Sequence, residues 1–490
     1  MNKIFYSCLL FISVTSFSQQ NPHSAQLPPP PAFDKISISD LQNNLYTLAG
    51  DAFRGRRAGT LDELKAAVWV AQKAQEAGLA PGGDNGTYFQ FFNLLRARIA
   101  NESRFELNGK ALALWKNYWP TVVADTRLSG NIAWLNTYAD TLQILTGKIV
   151  AMNIVAPYPL PARGMSLWAF RYTLLALRTA GTIMQRNGAA GLIVVADSTV
   201  LSLLPFISHA YESGQYQIEG MQQSNSLHQA FQIILVTPSV ARELVVANAK
   251  ADIHLMAEHF IYPSVNVIGK VKGTDPVLNR QYVLFSGHHD HDGVGNPVDN
   301  DSIWNGADDN ASVTVAMLAI AKAWHEKPGK RSALFVWHGA EERGLLGSRW
   351  YAKHPTVPKN DIVAVLNGDM IGRNAPDSAA LLGTLTPHKN STELVNMAMK
   401  ANDAFTHFKI DFSWDAVTHT ENWYFRSDHL PYAREGIPAI FFTTLLHPDY
   451  HTPKDEPDRI DYRKLYKMTK WMYATGWMVA ESAQGPALDK

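Results

Sequence analysis

The sequence of 490 residues has one cysteine, Cys8, close to its start. A chain that loses its first residues on export would carry no thiol, which excludes cysteine catalysis and a disulfide framework. No sign of charge is in excess. Lys+Arg and Asp+Glu number 44 each, so composition gives no electrostatic argument for a nucleic-acid or anionic-membrane partner. Beyond the first residues no apolar run is long enough to cross a bilayer. Two catalytic signatures are also missing. There is no G-x-S-x-G to present a serine nucleophile and no H-E-x-x-H to bind a lone zinc.

What is present describes a globular protein of two or three domains, 46% hydrophobic and 18% charged. Lys3, the apolar stretch Ile4 to Phe17 and the small-x-small triplet Ser16-Phe17-Ser18 form a secretory signal over residues 1–18. The expected location is secreted or periplasmic. Residues 19–32, with Pro28 to Pro31, make an extended linker. Residues 33–129 open the main domain with a helical region from Ser39 to about Ala80, which contains Gly55-Arg56-Arg57-Ala58-Gly59-Thr60. Texture changes over 130–262. Strand-like runs occur at 147–152, 189–195 and 233–236, with a helix at 174–186, but no acid, base or nucleophile cluster. This segment is expected to be a smaller inserted β-rich domain without chemistry of its own.

Residues 263–490 are expected to complete the main domain, and from 281 the pattern alternates. Apolar strand-like runs at 282–286, 332–337, 362–366 and 439–442 are followed by helical patterns at 309–325, 342–354, 390–404 and 463–481. That predicts an α/β fold, a mixed sheet flanked by helices on both faces. Ligands in such sheets bind beyond the carboxyl ends of strands, and those ends carry the polar candidates. His288 follows one strand, Glu341 and Glu342 another and Asp369 a third, while Asp309 opens a helix and His451 lies in Tyr450-His451-Thr452-Pro453. Imidazole and carboxylate together are a donor set that zinc accepts. Singly, Asp309 could cap a helix and the paired glutamates could answer a helix dipole. Five such groups, the glutamate pair counted as one, at the ends of successive α/β units are harder to explain that way.

The series GHHD, GADDNAS, GAEERGLLGS, NGDMIG and YHTPKD resembles the motifs of metallopeptidase family 28, the co-catalytic zinc aminopeptidases. Arg426-Ser427-Asp428-His429 with Gly436-Ile437-Pro438-Ala439 resembles another of its segments. GRRAGT and Tyr88-Phe89-Gln90 are similar to its N-terminal part, and the insert resembles a protease-associated domain. The resemblance implies two zinc ions. His288 and Asp369 would hold one, Glu342 and His451 the other, and Asp309 would bridge both, its own bond to Asn310 being cis. Glu341 would be the general base and Asp290 would orient His288. The implied activity is removal of N-terminal residues from peptides by a metal-activated water. Val313 departs from the family pattern, a packing change.

Several alternatives stay open in the sequence. His289 and His291 compete with His288, and His447 competes with His451. The acidic stretch 290–308, with Asp292, Asp299 and Asp301, reads as a solvated loop, or else as a rim for a substrate ammonium or an extra cation. Asp415, Glu421 and Asp428 are candidate anchors for that ammonium. A single-zinc glutaminyl cyclase on the same fold, or a non-catalytic peptidase-like binding ectodomain, would show missing ligands, and none is missing.

Overall fold

Aliphatic and aromatic residues fill four short runs, and each forms a buried strand in the computed structural model: Tyr282–His288, Ser332–His338, Ile362–Gly368 and Ala439–Thr443. They run parallel, with Phe285 opposite Phe335 on one side and Leu366 on the other. Strands covered on both faces are apolar throughout, which is why these runs do not alternate with polar residues. They form the middle of a ten-stranded mixed sheet. Ala257–Val271 adds antiparallel beside Ser332–His338, then come Phe89–Ile99 and Gln215–Ile218. On the opposite flank Ser378–Leu382 runs antiparallel to Ala439–Thr443. The structure describes residues 27–142, 145–156, 166–221 and 231–489. The expected signal and the linker as far as residue 26 lie outside them.

Successive side chains of a strand point to opposite faces, and the two faces have separate cores. Val283 and Phe285 share one with helices Ile38–Leu48, Ser312–Glu326 and Tyr462–Glu481. Leu284, Leu334 and Val365 share the other with Tyr351 and Tyr432, which come from helices Leu346–Lys353 and His429–Arg434. Phe285 stacks on Phe335 at 5.1 Å and meets Trp324 edge-on at 5.5 Å. Truncating it to alanine would cost about 3–5 kcal/mol by the usual cavity penalty. The first core holds the helix that follows Asp309 in place beneath the strand ends.

A second, eight-stranded sheet is built from residues 104–255. Its middle strands Thr126–Leu135, Ile149–Asn153, Gly191–Val195 and Ile233–Val236 are parallel, with buried cores on both faces. The change of texture at 130 marks the middle of this sheet and not its start, because Arg104–Leu107 and Tyr118–Pro120 pair onto it from upstream.

Two helix starts beside the donors differ from the sequence expectation, and the helix expected at 174–186 begins earlier, at Ser166. The helix expected from 342 begins at Leu346, because Gly344 and Leu345 donate their amides to the Glu341 carbonyl at 2.8 Å and close a turn first. The helix expected from 309 begins at Ser312, since Asp309 has φ −105° and ψ 92°.

Candidate metal centre

Four parallel strands end at one edge, and each hands the chain to a turn that carries a donor. His288 is the last residue of its strand and Asp369 follows Gly368. Glu341 and Glu342 lie in the turn after Ser332–His338, Asp309 in the turn before Ser312–Glu326, and His451 in the loop after Ala439–Thr443. Three non-glycine residues at or beside these donors are left-handed: Ala340 at φ 54°, Met370 at 56° and His451 at 50°. Such conformations cost about 1–3 kcal/mol each and gather where a side chain must be aimed.

The side chains meet in two halves. His288 Nε2 is 3.2 Å from Asp309 Oδ1 and 3.6 Å from Asp369 Oδ1, with Glu341 Oε2 at 3.8 Å. His451 Nε2 is 3.1 Å from Asp309 Oδ2 and 3.1 Å from Glu342 Oε2. Asp309 thus turns one oxygen to each half. Donors about 2.0–2.1 Å from a tetrahedral zinc stand about 3.3 Å apart, which matches these spacings. His288 Nε2 and Asp369 Oδ1 are buried with no hydrogen-bond partner, a costly state that a cation would relieve. The donor set therefore fits zinc. Among the described residues, the groups of three or more His, Cys, Asp or Glu donors close enough to share an ion all lie here.

The bland alternatives for two donors do not match their surroundings. The residue capping Ser312–Glu326 is Ala311, and Glu342 precedes its helix by a whole turn. The Asp309–Asn310 bond is cis. Asp290 accepts from the Glu341 amide at 3.0 Å and sits beside His288, whose Nδ1 is 3.2 Å from the Asp290 carbonyl and 3.7 Å from its carboxylate. Ser427 donates to Asp369 Oδ2 at 2.7 Å, and Asp455 accepts the amides of Asp308 and Asp309. Arg56, fully buried, donates to the carbonyls of Leu48, His289, Asn305 and Gly306.

The adjacent glutamates are pushed apart. Burial raises Glu341 well above the usual carboxylate range, reinforced by Glu342 and Asp369. Burial acts on Glu342 as well, but His451 and His291 outweigh it and hold it well below that range. Burial would lower His288, yet Glu341 and Asp369 hold it well above its ordinary value.

Of the competing histidines, His447 faces Asp308 at 3.5 Å, outside the donor groups, and burial pushes His289 down to about 4. His291 does reach the centre, with Nδ1 2.8 Å from Glu342 Oε1. Asp292 joins it, 3.3 Å from His451 Nδ1 and 2.6 Å from Arg343. The solvated-loop reading is therefore wrong for Asp292, which is 7% exposed, whereas Asp299 pairs with Lys454 at the surface. A run of three histidines and two aspartates directly after a strand was the available signal. Asp415 is occupied by the amides of Thr384 and Leu385 and by His388, Glu421 faces Arg426 at 3.4 Å, and Asp428 is fully buried.

Residues 266–475 match the family model described as Peptidase family M28. Aminopeptidase YwaD of Bacillus subtilis is 29% identical over 209 residues, which cover 41% of this chain and 42% of that protein. A probable leucine aminopeptidase of Arthroderma benhamiae is 26% identical over 251 residues, 49% of this chain and 64% of its own length. The chain thus matches less than two thirds of either relative. Two solved structures share the fold at 18% identity: BSAP, a zinc aminopeptidase from Bacillus subtilis (TM-score 0.60, 92% of this chain and 98% of that one), and an aminopeptidase from Aneurinibacillus sp. strain AM-1 (0.58, 93% and 96%). In fold and in the segment that carries the strand-end donors, residues 266–475, the chain is similar to peptidase family M28.

Proposed function

We propose that this chain is a secreted or periplasmic two-zinc aminopeptidase that removes N-terminal residues from peptides. The observation that carries it is Asp309, whose two oxygens face His288 and His451 separately at 3.2 and 3.1 Å. One ion would be held by His288, Asp309 and Asp369, the other by Asp309, Glu342 and His451. When bound, the zinc ions supply acidity to a water and charge to polarise a carbonyl. The chain's own residues do the rest. Glu341, beside the first half and buried, takes a proton from the attacking water and returns it to the leaving amine. Its raised proton affinity suits a group that must hold the proton between those steps. Asp290 fixes the Glu341 amide and the His288 ring together, so base and ligand keep one geometry.

The test is metal removal. Exhaustive chelation should abolish hydrolysis of leucine p-nitroanilide, added zinc should restore it, and saturated protein should contain two ions. N-acetylation of the substrate should lower the rate at least ~10-fold, since a lost charged hydrogen bond is worth about 1.5–3 kcal/mol. Full activity in protein shown to be metal-free would defeat the proposal, and equal rates on free and blocked substrates would leave a hydrolase that is not an aminopeptidase.

A further inference from the structure

Beside the metal centre lies a cavity of about 410 Å³ walled by Arg57, Arg96, Arg98, His209, Glu212 and Asn296. These residues come from distant parts of the chain: the turn after Asp51–Arg56, strand Phe89–Ile99, helix Ser198–Ser213 and strand Gly293–Val298. Arg98 is paired with Glu258, and Glu212 is engaged by Ser208 and Asn296. Arg57 and Arg96 meet no carboxylate among the described residues. Arg57 donates to the Tyr216 hydroxyl at 3.1 Å, and Arg96 to the carbonyls of Ser213 at 2.7 Å and Glu212 at 3.5 Å. Burial, and then the nearby Arg343, push the Arg57 guanidinium below its ordinary value, so the cavity disfavours the charge it contains. His209 Nε2 is a further buried polar atom without a partner in this wall.

Charge and shape narrow the ligand. Three guanidiniums against Glu212 and Glu258 leave one positive charge, which matches a monoanion and not a phosphate dianion. The planar fork of an arginine suits a carboxylate. The cavity is also wired to the centre. Arg57 bonds Tyr216, Arg343 lies over the Tyr216 ring at 5.6 Å and pairs with Asp292 at 2.6 Å, and Asp292 is 3.3 Å from His451. The backbone of Arg57 pairs directly with that of His291. We propose that this cavity is a subsite for a carboxylate of the peptide substrate, its C-terminal group or an acidic side chain, held by Arg57 and Arg96 while the amide to be cut lies at the metal centre. The subsite rests on the peptidase reading above, and it makes short free-acid or acidic peptides the favoured substrates.

Two arms test it. In the first, metal-free protein is titrated by calorimetry with acetyl-triglycine, its C-terminal amide and sodium sulfate. In the second, zinc-loaded protein is assayed on Leu-Gly-Gly, its amide, and Leu-Gly-Glu amide. The free acid should bind at least tenfold more tightly than the amide, and kcat/KM should favour either carboxylate-bearing peptide over Leu-Gly-Gly amide by a similar factor. Arg96→Gln and Arg57→Gln should each shrink those ratios at least fivefold. Equal binding of acid and amide by the wild type overturns the proposal without recourse to any variant, as does a preference that survives in both variants with unchanged melting temperatures. Sulfate binding tenfold tighter than the peptide acid would mark a free-anion site and overturn the substrate assignment. If neither peptide is cut while the metal-free protein still prefers the acid, the peptidase reading fails and the carboxylate subsite stands.

Discussion

Glu341 and Glu342 are identical residues side by side, and what separates them is where their oxygens end up. Glu342 lies against His291 and His451 at 2.8 and 3.1 Å, the surroundings of an ionised ligand. Glu341 has His288 at 3.8 Å, while the carboxylates Glu342, Asp369 and Asp428 oppose its charge. Glu341→Gln should therefore lower kcat at least ~10²-fold while both metals stay bound, since general-base catalysis is worth about 10²–10⁴-fold. Asp309→Ala should lose metal together with activity, because it removes an oxygen from each half. Metal analysis beside single-turnover rates separates the two outcomes, and near-native turnover in Glu341→Gln would remove it as the base. The same contrast explains what the sequence left undecided. Position after a strand singles out His288, Glu341, Glu342 and Asp369, but His291 and Asp292 sit in a run so dense in charge that it looks like a solvated loop. Asp292 pairs with Arg343 and the His291 amide donates to the Arg56 carbonyl, and no local pattern encodes either contact.

At the scale of elements, the parallel strands were legible because each is a short apolar run bounded by turns. Val283, Phe285 and Leu284 needed no partner to be recognised as buried. The ribbon of Phe89–Ile99 against Ala257–Val271 was not legible. Its exposed outer positions, among them Phe91 and Ile261, and its arginines blur the alternation, and its partner strand lies far along the chain. The start of the second sheet was missed for the same reason: Arg104–Leu107 finds its place only by pairing with Lys250–Leu255. What joins the N-terminal helices to the site is Arg56. Its guanidinium ties the end of Ile38–Leu48 to the His289 carbonyl and to the turn at Asn305 and Gly306, at distances from 2.6 to 3.0 Å. Arg56→Met would leave those carbonyls without their donor inside the protein, and the nearby carboxylates Asp290, Asp455 and Asp309 without their counter-charge. The expected loss is about 3 kcal/mol or more. Urea unfolding of both proteins in chelator checks it, and a difference under about 1 kcal/mol would mean that water replaces the clamp at little cost.

Across the whole molecule, carboxylates from distant segments converge, and their repulsion sets how stability responds to pH and to metal. Burial, with Asp301, Asp51, Asp458 and Asp455 near it, pushes half-buried Glu456 from 4.5 up to about 7. The folded chain then binds this proton more tightly than the unfolded chain, so its contribution to stability is lost as pH rises from about 4.5 through 7. Glu456→Gln, which cannot ionise, should raise the melting temperature at about pH 8 and change it little at about pH 5. An equal shift at both values would point to packing instead. The metal centre concentrates the same repulsion: Asp290, Asp292, Asp309, Glu341 and Asp369 are all nearly or fully buried, against His288, His291 and His451. Its donors span positions 288 to 451 and come from the ends of three central strands, the turn before Ser312–Glu326 and the loop after Ala439–Thr443. A cation bound there ties those segments together and removes the repulsion at once. Ligand at 100 times its dissociation constant adds about 2.7 kcal/mol per site. Zinc-saturated protein should therefore melt at least about 2 °C above the chelated form, with Asp309→Ala showing less than half of that gain. Calorimetry on the same samples decides it: identical melting curves with and without saturating zinc would mean that these donors do not close on a metal.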